Sequence, residues 1–68
     1  MGILENRFGT QAVRNGFVTI DQLKEGLNLQ VEEDIAGKPH RLIGTILLEL
    51  GHIDKDQLAK VLLSLHTE

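Results

Sequence analysis

RFGTQAVRNG, residues 7–16, and LIGTILLELG, residues 42–51, each place two glycines seven residues apart in a stretch that otherwise reads as helix. Glycine inside a helix costs about 1 kcal/mol relative to alanine, so a cost taken twice at one spacing needs a cause. The two stretches are versions of one element. Sliding the chain along itself by 35 residues aligns 8–30 with 43–65, and seven of those 23 positions are identical. They are Gly9/Gly44, Thr10/Thr45, Gly16/Gly51, Asp21/Asp56, Gln22/Gln57, Leu23/Leu58 and Leu27/Leu62. Apolar character also repeats at Phe8/Ile43, Ala12/Leu47, Val13/Leu48 and Val18/Ile53.

Each copy has the signals of a helical hairpin. In the second, Ile43, Ile46, Leu47 and Leu50 form one stripe, and Gly51 stands where a left-handed residue ends a helix. Asp54 followed by Gln57 is a capping box, and Leu58, Val61, Leu62 and Leu65 form the next stripe. In the first copy Leu4, Phe8 and Ala12 make a thinner stripe, Gly16 is the stop and Thr19–Gln22 the capping box. Ile20, Leu23, Leu27 and Val31 are the expected buried face after it. The reading is all-α: four short helices near 3–15, 20–35, 42–50 and 55–66, arranged as two tandem helical hairpins. Repeat 1 covers about 7–30, the charged linker with Gly37 and Pro39 covers 31–41, and repeat 2 covers about 42–65. Glu32, Glu33 and Asp34 oppose the helix dipole at the end of the second helix, so fraying is expected there.

A chain of 68 residues is one domain with a small core. It has no cysteine, which excludes disulfides and thiolate metal sites. No apolar run approaches the roughly 20 residues of a membrane span, so the expected location is cytoplasmic and without membrane contact. Net charge is −3 and the aromatics are Phe8 and Phe17 alone, which argues against binding a nucleic-acid polymer. His40, His52 and His66 lack paired-ligand spacing, so no metal is expected. Ser64 has no triad partners and the acidic run no opposing carboxylate, so no catalytic residue is named. The chain is expected not to be an enzyme.

Gly16 and Gly51 are explained as helix stops. Gly9 and Gly44 lie near helix starts, where glycine admits either a neighbouring helix or a ligand. Leu48 and Leu63 fall off their helix stripes and are the candidate partner-binding residues, on a protein-contact or homodimer face.

The arrangement from Arg7 to Gln30, RFGTQAVRNGFVTIDQLKEGLNLQ, resembles the N-terminal domain of type II secretion and type IV pilus assembly ATPases. Some members of that family bind cyclic di-GMP through two tandem copies of the motif. The first copy fits the 24-residue pattern, with Ala12 and Phe8 as mild departures. The second, GTILLELGHIDKDQLAKVLLSL, keeps the hairpin. However, Leu42 stands where Arg7 does, Arg41 comes one residue early, Leu65 replaces the terminal Gln, and His52 occupies an apolar position. The resemblance implies Arg7 on phosphate or guanine, Gly9 for close approach, Phe8 against a base, and Gly16 and Gln30 framing the pocket. Arg41 and Gly44 would supply a weaker second half. A guanidinium suits both phosphate and a guanine edge.

Two functions follow as expectations. One is a regulatory adaptor that docks on a secretion- or pilus-type ATPase or another regulator. The other is a cyclic di-GMP sensor whose ligand orients the two hairpins. No cofactor is expected apart from that ligand.

Overall fold

The helix ends are set by local chemistry, and they fall within a residue of the sequence reading. A computed structural model describes residues 3–67, with side chains for residues 7–65; the side chains of Leu4 and His66 lie outside the described residues. The described residues form α1 (Ile3–Arg14), α2 (Ile20–Ile35), α3 (Ile43–Glu49) and α4 (Lys55–Thr67), and no strand. The fold is all-α.

Gly16 and Gly51 have φ of 75° and 80°, the left-handed region that glycine enters without a Cβ clash. The amide of the following residue reaches back to close the helix. Phe17 N–H donates to the Ala12 carbonyl at 3.0 Å, and His52 N–H to that of Leu47 at 3.0 Å. Both connections then enter the next helix through a capping box. Gln22 N–H donates to Thr19 Oγ1 at 3.1 Å, and Thr19 N–H to Gln22 Oε1 at 2.9 Å. Gln57 N–H donates to Asp54 Oδ1 at 2.7 Å, and Asp54 N–H to Gln57 Oε1 at 3.1 Å. The same stop and start thus recur 35 residues apart.

The two helices of each hairpin, α1 with α2 and α3 with α4, are not the ones that pack most. The larger interfaces are α2 with α3 and α1 with α4. α1 and α3 also pack together and form the middle of the molecule, with α2 and α4 on its flanks. Among the described residues, the Cα traces of α2 and α4 nowhere come within 8 Å of each other. Phe8, Ala12, Val18, Ile43, Leu47, Ile53 and Val61 are the buried core.

Two expected buried faces are rotated. On α2, Gly26 and Gln30 are buried with Leu23 and Leu27 half-buried, whereas Ile20 and Val31 are exposed. The cause is Gly26, whose missing side chain lets Ile43 and Leu47 of α3 settle against the helix there. On α4, Val61 is buried and Leu62 exposed.

The connection between the repeats is well held. α2 runs to Ile35, as expected, and closes through Gly37, so the non-helical part of the connection is 36–42. Fraying at 32–34 is not what the structure has. Lys38 N–H donates to the Glu33 carbonyl at 3.0 Å, and the His40 ring Nδ1 lies 3.1 Å from Asp34 Oδ1. Basic residues returning along the linker offset the unfavourable charge at the helix end.

Candidate functional site

The residues that the resemblance gathers into one pocket separate into three places. Gly9 and Gly44 are buried, and the chain itself approaches them. A Cβ on Gly9 would lie 2.9 Å from Leu23 Cδ1; one on Gly44 would lie 2.9 Å from Phe8 Cζ and 3.0 Å from Leu58 Cδ1. Both glycines therefore admit a leucine of the next helix, 14 residues on in each copy. Packing, the first of the two alternatives, accounts for the close approach at both glycines, and Phe8 and Gly44 also line the groove described below. Phe8 is accordingly a core ring, buried between α1 and α3. Gly16 is an exposed helix stop, and a Cβ there would meet nothing within 4 Å.

Gln30 has a core role that the sequence does not disclose. It is 1% exposed, and its Nε2 donates to the Arg41 carbonyl at 2.9 Å, holding the linker against α2. Arg41 is turned inward over the same segment. Its Nε donates to Glu33 Oε1 at 3.0 Å and its Nη2 to Glu33 Oε2 at 2.6 Å, a two-point pairing, while Nη1 meets Glu49. The hydrogen bond donated to Glu33 holds the Arg41 guanidinium above its ordinary pKa, and Arg41 in turn lowers that of Glu33. Two carboxylates on one guanidinium leave this locus net negative, which is the wrong sign for a phosphate. Arg41 is thus a clasp between α2, the linker and α3. Arg7 is exposed on α1, apart from that clasp in sequence and next to Phe8.

The third place is an apolar groove of about 800 Å³ between the start of α3 and the 58–65 stretch of α4. Buried Phe8, Ile43 and Gly44 form its floor, with half-buried Leu58 and Leu65 beside them. Leu42, Leu62 and Leu63 stand on its rim at 60%, 52% and 64% exposure. Ala59 and Thr45 complete the lining, and among the described residues Thr45 is its only polar side chain.

Leu63, a surplus leucine in the sequence, is therefore in the groove, whereas Leu48 is half-buried and packed on the core. Sequence reasoning misses Leu42, which aligns with Arg7 and reads as a lost arginine, and Leu62, which falls on the expected core stripe. The sharper signal is three apolar positions in succession, Val61-Leu62-Leu63, more than one helix face can bury.

The remaining polar pairs are structural in position. His52 Nε2 lies 2.6 Å from Glu25 Oε1 and ties the second hairpin turn to α2. Among the described residues no group of three or more His, Cys, Asp or Glu is placed to hold a metal. No described helix is long and apolar enough to cross a membrane. No protein-family model, curated protein or solved structure matches the chain.

Proposed function

We propose that this chain is a non-catalytic interaction module whose docking surface is the α3/α4 groove. The observation that carries the reading is the contiguity of Leu42, Leu62 and Leu63 around an apolar floor. Single exposed leucines are ordinary; a joined cluster around a concavity is the signature of a binding face. An open apolar groove between two helices suits an amphipathic helix laid along it, with anchors at i, i+3, i+4 and i+7. The resemblance from Arg7 to Gln30 nominates a secretion- or pilus-type ATPase, or a regulator, as the protein supplying that helix. The cyclic di-GMP alternative is supported by Arg7, a cation exposed one residue from groove-lining Phe8. The nearly all-carbon lining and the engagement of Arg41 favour the adaptor.

NMR titration of the labelled chain separates the two. A synthetic amphipathic peptide with leucines at the stated spacing is expected to shift amides at 42–45 and 58–65, and Leu62→Glu to abolish the shifts. Cyclic di-GMP shifts centred on Arg7–Gly9 and lost in Arg7→Ala would instead establish the sensor. A chain unmoved by the peptide is not an adaptor through this groove.

A further inference from the structure

The groove has a counterpart elsewhere on the same molecule. On the outer face of α2, Val31 and Ile35 lie one turn apart and are 47% and 81% exposed, a convex apolar ridge at the end of the helix. Neither is among the residues packed on the core, which α2 meets through Leu23, Gly26, Leu27 and Gln30.

We propose that the groove receives α2 of a second copy of this chain, so that copies associate head to tail. This rests on the reading of the groove as a docking surface and names its occupant.

Three features support it. The first is charge. Glu25, Glu33 and Asp34 of α2 are engaged within the chain by His52, Arg41 and His40, whereas Glu32 is exposed beside the ridge, and α4 carries Lys55 and Lys60 against Asp56. Lys55 lies four and seven residues before Ala59 and Leu62, on the groove face of α4. It stands at one end of the groove, where an acidic flank such as Glu32 of an incoming ridge would meet it. The second is shape, a ridge entering a concavity. The third is placement. α2 and α4 sit on opposite flanks with no Cα approach within 8 Å among the described residues, so the ridge cannot cover the groove of its own molecule. The contact is therefore heterologous, and the assembly keeps one free groove at one end and one free ridge at the other.

Sedimentation equilibrium tests this with two surface variants, Ile35→Lys on the ridge and Leu63→Lys on the rim. Circular dichroism confirms that both keep the helical fold. The wild type is expected to rise with concentration from 7.6 kDa past twice that mass, less so in high salt. Each variant alone is expected to remain monomeric. An equal mixture is expected to form a dimer that does not grow, because one intact groove meets one intact ridge. The proposal is overturned by a wild type that stays monomeric at millimolar concentration, by Ile35→Lys assembling like wild type, or by a mixture that stays monomeric. If the wild type is monomeric while the leucine peptide still shifts groove amides, the docking surface stands and its assignment to a second copy falls.

Discussion

Gly9 and Gly44 occupy equivalent positions and accept equivalent leucines, yet they differ in what a methyl group would displace. At Gly9 the obstacle is the tip of Leu23, a single flexible side chain 2.9 Å away. At Gly44 the methyl would meet the Phe8 ring at 2.9 Å and Leu58 at 3.0 Å, from two different helices. A ring fixed in the core cannot turn aside as a leucine tip can. Gly9→Ala is therefore expected to be near neutral, the strain offset by about 1 kcal/mol of helix propensity. Gly44→Ala is expected to cost about 1–3 kcal/mol by overpacking, which for a chain of this size lowers Tm by about 4–8 °C per kcal/mol. Thermal melts of the two variants check this; equal effects would refute it. The glycine pattern is visible in the sequence, because spacing is local. The identity of what approaches is not, because it depends on side chains from other helices.

Among the elements, the connection between α2 and α3 is the one held by charge. Glu33 is stabilised as a carboxylate chiefly by its hydrogen bond from Arg41, so its pKa in the folded chain lies below the ordinary value. The contribution is fully present at neutral pH. It begins to fade as pH falls below the ordinary glutamate range of about 4.3, and is gone below the lowered folded value. Arg41 stays charged throughout. Melts between pH 7 and pH 3 should show a steeper loss of Tm for wild type than for Glu33→Gln; parallel curves would mean that the pair contributes nothing measurable.

Legibility divides at this scale as well. Stops and caps at Gly16, Thr19, Gly51 and Asp54 are readable, since each is complete within a few residues. The roles of Gln30 and Arg41 are not. They arise only when the linker folds back on α2, and an arginine facing two carboxylates looks in sequence like one facing a phosphate. The groove is half-legible: Leu63 can be singled out as surplus, but the rotation that exposes Leu62 and buries Val61 follows from how α4 rests on α1.

For the whole molecule, the pairing of α1 with α4 and of α2 with α3 interlocks the two halves. Phe8 of the first half sits at Gly44 of the second, and Ile43 and Leu47 of the second sit at Gly26 of the first. A peptide of residues 1–37 would lose those partners while keeping its own caps and turn. It is expected to show little helix by circular dichroism and no cooperative melt, whereas the full chain melts in one transition. A cooperative melt of the half-length peptide would show that the halves are independent. The same interlocking leaves little room for a ligand to swing one hairpin against the other, since such a swing would pull Phe8 off Gly44.

That crossing of partners has a consequence during synthesis. α1 leaves the ribosome well before α4, the helix it packs on most, so Phe8 waits for Leu58 to join it at Gly44. A nascent chain that has released α1, α2 and α3 still shows an apolar trough where α4 belongs. Until α4 has also emerged, the core lacks Val61 and Leu58, so the packing of these four helices is expected to complete late.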